Sequence, residues 1–334
     1  MAWALALLAL AAAPAAATAP APADSLAPAP PGRLLDLGGY RLHLWCTGAG
    51  DPTVVLVPGA SDFSFGWCLV QPEVAKFARV CAFDRGGEAW SDLGPRPRDK
   101  TQEAFDLRRA LRAAGETGPY VLVGQSMGGD VVRLFALAHP DEVAGIVLVD
   151  SAHPDAMTNL DGRVSTTRSF SRGRAIPAPR ESLAADDRLT DEGVGKIREA
   201  VAKYHLEPTL DPPFDRLPAE PQRWRLWALA QPKHFVAYDS DYLGEEAERL
   251  YAALHAAAPA FADVPLIVLC RDTTVERSHD PLHVAHAREQ AAMSRRGELR
   301  IVPGAGHEIH VDAPGAVVQA IRDVIREARA RHGR

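Results

Sequence analysis

The chain has 334 residues and a formal net charge of -6, with 47% hydrophobic and 24% charged residues. That length can bury a large core, and it suits one large domain with an insertion or two small domains. The acidic balance and the absence of a Lys/Arg stripe exclude nucleic acid as a partner on electrostatic grounds.

Taken in chain order, residues 1–17 (MAWALALLALAAAPAAA) are apolar and uncharged. They are too short and too Ala-rich for a membrane span. They match the apolar core of a secretory signal, with a small-x-small cleavage site near Ala15-Ala16-Ala17. No Lys or Arg precedes the apolar run, so a retained anchor or a misassigned start codon competes with export. The expectation is a secreted or periplasmic protein. Residues 18–32 (TAPAPADSLAPAPPG) read as an extended Pro/Ala tether. The folded domain is expected over residues 33–330.

LLDLGGYRLHLW (34–45) alternates on both sides of Gly38-Gly39 and predicts a hairpin. Six later apolar runs do not alternate: TVVLVPG (53–59), VCAFD (80–84), YVLVG (120–124), GIVLVD (145–150), PLIVLC (265–270) and LRIVPG (299–304). Such runs suit parallel strands covered on both faces. Helical spacing appears over 101–114, 127–138 and 314–330, so strands alternate with helices. The predicted fold class is α/β, a doubly wound and mostly parallel sheet. Between about 155 and 262 the alternation stops, and no strand is predicted there. That stretch carries Trp224, Trp227, Phe235, Tyr238 and Tyr242, and it reads as a helical lid insertion. Its aromatics suit either a substrate pocket or the insertion's own core. The four cysteines (Cys46, Cys68, Cys81, Cys270) form no CxxC pair. Cys46 and Cys81 each fall in a predicted strand, where a disulfide and two buried thiols are both compatible with the sequence.

The chemistry concentrates at Gly124-Gln125-Ser126-Met127-Gly128, a G-x-S-x-G between a predicted strand and a predicted helix. The turn crowds its neighbours, so glycines flank the serine two residues away on each side. The strain lifts the Ser126 hydroxyl clear of the sheet edge, and the helix N-terminus faces any oxyanion formed there. A serine nucleophile needs a base. His307 follows Val302-Pro303-Gly304-Ala305-Gly306 at the end of the last strand, on the same rim as Ser126. His310 is the competing residue and reads as a supporting loop histidine. HEIH is one residue short of H-E-x-x-H, so the zinc-protease reading fails. Two oxyanion donors are expected, the backbone N–H groups of Ala60 and Met127.

The ordered set of the PGA loop (58–60), FDRGG, GQSMGG and GAGHEIHVDAP resembles the α/β-hydrolase superfamily. It looks closest to bacterial esterase-like members with YVLVGHS-GG, VLVDSSH and SGH-IH-D-P. The resemblance covers about 33–153 and 264–330. It implies a serine carboxylic-ester hydrolase. Two departures stand out. Pro58 occupies the position where many members have His, which bears on support of the oxyanion loop. Gly86-Gly87-Glu88-Ala89-Trp90-Ser91 replaces the commoner G-x-G-x-S, which bears on loop shape.

The acid that orients the base has three candidates. Most members carry it after the strand before the last, which here offers Asp272 and, later, Asp280. Asp150 ends GIVLVD immediately before Ser151. The resembled subgroup keeps VLVDSSH while its later loop often lacks an acid, so Asp150 is preferred with Asp272 as the alternative. His279, His283 and His286 share one helical face; a zinc site is conceivable there, but an ordinary polar face beside the catalytic rim is the preferred reading. Asp84-Arg85 is expected to brace the rim. The mechanism asks for no metal or organic cofactor, and the partner is a small-molecule ester. An aminopeptidase reading would need an acidic patch, for which Glu245, Glu246 and Glu248 are available. Chemistry through an Asp nucleophile is disfavoured by Ser126, and a non-catalytic ligand-binding module is the remaining rival.

Overall fold

The structure is a computed structural model, and it describes residues 27–160, 163–171, 178–240, 246–276 and 280–332. Residues 1–26 lie outside it, and with them the expected signal and most of the tether. The eight expected strands all form: β1 Arg33–Asp36, β2 Arg41–Thr47, β3 Thr53–Val57, β4 Val80–Phe83, β5 Tyr120–Gln125, β6 Val143–Val149, and, after the insertion, β9 Leu266–Arg271 and β10 Gly297–Val302. They make one sheet in the order β1-β2-β4-β3-β5-β6-β9-β10. The run from β4 to β10 is parallel, while β1 and β2 pair antiparallel at one edge.

The unbroken apolar runs divide by strand period into two cores. Val55 and Val57 of β3, Leu122 of β5 and Leu148 of β6 face one side. There they meet Leu107 and Leu111 of a helix at Lys100–Ala114 and Val131 and Phe135 of another at Gly128–Ala138. Val54, Leu56, Val123 and Val147 face the other side, against Val317, Ile321 and Val324 of the C-terminal helix Pro314–His332. Covering both faces is what makes such non-alternating strands stable.

In chain order the helices are α1 Gln71–Val74, α2 Lys100–Ala114, α3 Gly128–Ala138, α4 Thr167–Ser171, α5 Asp191–Tyr204, α6 Ala219–Leu229, α7 Pro232–Ser240, α8 Glu246–Leu254, α9 His283–Ala291, α10 Ile309–Asp312 and α11 Pro314–His332. Helices α4 to α8 belong to the insertion between β6 and β9. The expectation of a strand-free insertion is corrected: β7 Met157–Leu160 and β8 Arg163–Thr166 form an antiparallel hairpin apart from the main sheet. Those strands are short and rich in polar residues, so they carry neither the apolar run nor the clean alternation that announces a strand.

Two tryptophans of the insertion pack onto the sheet domain, while Tyr242 lies outside the described residues. Trp224 and Trp227 of α6 contact Trp90 at 5.3 and 5.4 Å between ring centroids, and Trp224 also meets Phe65 and Trp45. The insertion is therefore docked by an aromatic cluster and by buried polar pairs, notably Glu88 with His234 at 2.7 Å. Cys46 and Cys81 are direct register partners across β2 and β4, and they are disulfide-bonded. Cys68 and Cys270 are free.

Candidate active site

Sheet register assembles the site. Val57 pairs with Gly124, Gln125 with Val149, Val149 with Leu269, and Val302 with Arg271. The carboxyl ends of five strands thus reach one rim, and the residues just beyond them converge: the 58–60 loop, Ser126, Asp150, Asp272 and the loop leading to His307.

Ser126 takes φ 50°, in the left-handed region that a non-glycine residue enters only when its surroundings hold it there. Its N–H donates to Val149 O at 3.0 Å, and its carbonyl accepts from Gly129 and Ala152 N–H, both at 3.0 Å. The glycines are required by close approach. A Cβ at Gly124 would sit 2.4 Å from Gly128 O, and one at Gly128 would sit 2.4 Å from Val57 O.

His307 Nε2 lies 3.0 Å from Ser126 Oγ, and His307 Nδ1 lies 2.6 Å from Asp150 Oδ2. Of the three candidate acids, Asp150 is the one that reaches the imidazole. Asp272 instead accepts the Gly304 N–H at 3.1 Å and both the N–H and hydroxyl of Thr274, so it ties down the loop before His307. Asp280 accepts from His286 Nδ1 at 2.6 Å. Burial opposes ionisation of Asp150. Its bonds to His283 and His307 and the charges of His307 and Arg271 outweigh burial and hold the carboxyl well below the usual range. His307 is likewise penalised by burial, yet its bond to Asp150 and the charges of Glu308 and Asp150 raise it above the ordinary imidazole value. Arg271 pulls it the other way.

A Cβ on Gly59 would meet Ser126 Cβ at 3.0 Å, so the loop carrying Ala60 lies against the serine turn. Met127 immediately precedes α3, with its N–H at the helix N-terminus. Asp62, two residues beyond Ala60, ties this loop to its surroundings. Its Oδ1 accepts from Arg225 Nη1 of α6 at 2.9 Å, and its Oδ2 lies 3.2 Å from His310 Nε2. His310 is fully buried, with its ring 4.7 Å from Trp67, so it belongs to this support. Glu88-Ala89-Trp90-Ser91 forms a tight turn with Ala89 at φ 39°, and Ser91 Oγ donates to Asp84 O. Asp84 braces the rim as expected, accepting the Ser64 N–H at 2.6 Å and bonding His43 at 2.7 Å.

Sequence reasoning missed three contributors. Arg271 donates to Asp150 from its main chain and its side chain. Glu276 accepts from both Arg271 and the His307 N–H. Gln125 donates to Glu308 at 3.0 Å beside the base. Their position at strand ends or next to the motif was the available signal. His283 and His286 lie on a polar face beside the catalytic rim, in keeping with the preferred reading, but with closer contacts to the acids than that reading gave them: His283 Nε2 lies 2.9 Å from Asp150 Oδ1, and His286 is buried on Asp280. His279 lies outside the described residues.

A cavity of about 280 Å³ adjoins Ser126 and His307. Its lining includes Ser151, His153, Met157, His283 and Gln290, a mixture of polar and small apolar surface. None of the insertion's tryptophans lines it. Glu246 and Glu248 do not line it either, and Glu245 lies outside the described residues. The acidic patch that amine recognition would need is thus not formed at this cavity by Glu246 or Glu248.

A family model described as "Alpha/beta hydrolase family" matches residues 54–320. A 2-hydroxymuconate semialdehyde hydrolase of Pseudomonas sp. (strain CF600) is 30% identical over 202 residues, 58% of this chain and 68% of that protein. A thermophilic esterase from Thermogutta terrifontis, solved with malate, is 26% identical at a TM-score of 0.59, covering 86% of this chain and 94% of its own. A putative epoxide hydrolase mutant from Pseudomonas aeruginosa aligns at a TM-score of 0.62 and 18% identity, covering 89% of this chain and 96% of its own, a likeness of fold. Against some curated relatives the match is partial. It spans 18% of a probable transporter, efuK, of Hormonema carpetanum.

Proposed function

Because this chain belongs to the alpha/beta hydrolase family and is a hydrolase by that kinship, we propose that it is a serine carboxylic-ester hydrolase. The observation that carries the reading is the continuous chain from Ser126 Oγ to His307 to Asp150, at 3.0 and 2.6 Å. With Nδ1–H donating to Asp150, His307 Nε2 is free to accept the serine proton. Ser126 Oγ attacks the ester carbonyl carbon as Nε2 takes that proton. The Ala60 and Met127 N–H groups receive the oxyanion. The imidazolium protonates the departing alcohol, and a water activated by the same Nε2 releases the acid. The insertion acts as the lid over this rim.

An epoxide-opening reading would need a carboxylate nucleophile, and the turn presents Ser126 instead. The size and mixed polarity of the adjoining cavity favour a short to medium acyl group. Export to an oxidising compartment is supported by the Cys46–Cys81 bond and by the apolar N-terminal sequence. Among the described residues, no helix is long and apolar enough to cross a membrane.

The test is turnover of p-nitrophenyl esters from acetate to decanoate by the wild type and by Ser126→Ala. Turnover falling with acyl length, and lost in Ser126→Ala without loss of fold, is the expected result. Turnover retained in the variant would refute the nucleophile assignment.

A further inference from the structure

The resembled family usually carries the acid after the strand before the last. Here that strand is β9, and its last residue is a cation, Arg271. The acid sits instead one strand over, at Asp150, which takes φ 43°. Arg271 reaches back to it in two ways. Its backbone N–H donates to Asp150 Oδ1 at 2.9 Å, and its Nε donates to Oδ2 at 2.7 Å. Nη2 also lies 2.7 Å from Oδ2. Glu276 Oε1 accepts from Arg271 Nη1 at 2.7 Å, and Glu276 Oε2 accepts the His307 N–H at 2.8 Å. One carboxylate therefore joins the guanidinium that grips the acid to the backbone of the base.

We propose that Arg271 and Glu276 are positioning residues: Arg271 fixes the plane of the Asp150 carboxylate, and Glu276 locks that clamp to the His307 loop. The inference rests on the esterase reading above. The need for a clamp follows from the local chemistry. His307 on Oδ2 and His283 on Oδ1, the latter at 2.9 Å, each hold the buried carboxylate by a single bond about which it can still tilt, and misplacement by about 1 Å is enough to lose on the order of 10²-fold in rate. Arginine is suited to the task because its planar fork fixes direction, whereas a lysine supplies a point charge. The clamp has an electrostatic cost. Nη2 lies 2.7 Å from His307 Nδ1, so three donor nitrogens, Nε, Nη2 and Nδ1, crowd onto Oδ2 and the guanidinium disfavours the imidazolium. Glu276 offsets that charge. A clamp without Glu276 would therefore hold the acid while opposing the base.

The experiment is a kinetic cycle on a p-nitrophenyl ester with the full chain: wild type, Arg271→Met, Arg271→Lys, Glu276→Gln, Asp150→Asn and Arg271→Met/Asp150→Asn. Melting curves report fold for each. Arg271→Met is expected to lower kcat by about 10–100-fold with KM within about twofold. Arg271→Lys should recover part of the loss, and Glu276→Gln should also lower kcat. In the Asp150→Asn background, Arg271→Met should cost less than about threefold more, because the clamp then has nothing to orient. Full multiplication of the two losses, an unchanged kcat in Arg271→Met, or a raised KM alone would overturn the proposal. The last result would make Arg271 a substrate contact. A second readout needs no substrate: the downfield imidazole N–H proton resonance of the His307–Asp150 bond, identified by its absence in His307→Asn. Its loss or broadening in Arg271→Met supports the clamp, and its persistence overturns it. An inert wild type that shows this resonance would contradict the esterase reading and leave the clamp to be judged by the resonance alone.

Discussion

Arg225 Nη1 donates to Asp62 Oδ1 across 2.9 Å, joining residues 163 positions apart in sequence. Arg225 comes from α6 of the insertion and Asp62 from the loop that carries Ala60. The guanidinium also lies 3.4 Å over the Phe214 ring. The pair is buried on both sides, so removing Asp62 strands the Arg225 charge, and removing Arg225 leaves Asp62 with His310 alone. Arg225→Met or Asp62→Asn alone should destabilise the protein by about 3–5 kcal/mol, and the double variant by less than the sum. Denaturant melts of the three variants check this. Additive losses would show that the two side chains act independently.

Asp150 and Asp272 give opposite expectations. Asp150→Asn keeps the shape of the carboxyl but presents an amide to His307 Nδ1 and disfavours the tautomer that the base requires. A loss of kcat of about 10⁴-fold is expected, the magnitude known for the same change in a serine protease triad. Asp272 touches Gly304 and Thr274 and does not touch the imidazole. Asp272→Asn should cost less than about tenfold, through a looser loop. Side-by-side ester kinetics decide the matter, and the reverse ranking would reassign the acid.

The pH profile follows from His307. The base works only when neutral, and its imidazolium is held above the ordinary value of 6.5, chiefly by the Asp150 bond working against burial. Below that raised pKa the base is protonated and idle. Ester kcat/KM should therefore climb with pH through a half-point above 6.5, which a pH–rate series on the wild type measures. A half-point at or below 6.5 would show that Arg271 and burial dominate over Asp150.

The Cys46–Cys81 bond closes a segment of 35 residues between β2 and β4. The chain-entropy relation gives such a loop about 3–4 kcal/mol of stabilisation. Cys46→Ser/Cys81→Ser, or the wild type under reductant, should lose stability by that margin in denaturant melts and show a lower melting temperature. Ester kcat should stay within about twofold, since the bond lies at the antiparallel edge, away from the rim. An unchanged melting temperature would mean that the bond does not form in solution.

Much of this architecture was legible because its physics is local. The eight strands could be read because parallel strands covered on both faces become continuous apolar runs. Ser126 and His307 could be read because a strained turn needs Gly124 and Gly128, and because a base must follow a strand whose carboxyl end faces the same rim. Asp150 was preferred over Asp272, but spacing alone left both open. Choosing between them depends on register, and the pairing of Val149 with Leu269 is a long-range fact. The β7–β8 hairpin escaped notice because its short, polar-rich strands stand apart from the main sheet and leave no hydrophobic period. Arg271, Glu276 and Arg225 were missed for a related reason. Each acts through partners distant in sequence or across a turn, and a single charged residue carries no periodic signal. The insertion's tryptophans had two compatible roles in the sequence, and packing against Trp90 decided for docking.

The central claim is that Ser126 is an activated nucleophile, and covalent labelling tests it most directly. Purified protein would be treated with a fluorophosphonate and mapped by peptide mass, beside Ser126→Ala and His307→Ala. The account predicts one adduct, on Ser126, that is absent from Ser126→Ala and strongly slowed in His307→Ala. A folded wild type that takes no adduct, or takes it on another serine, would contradict it.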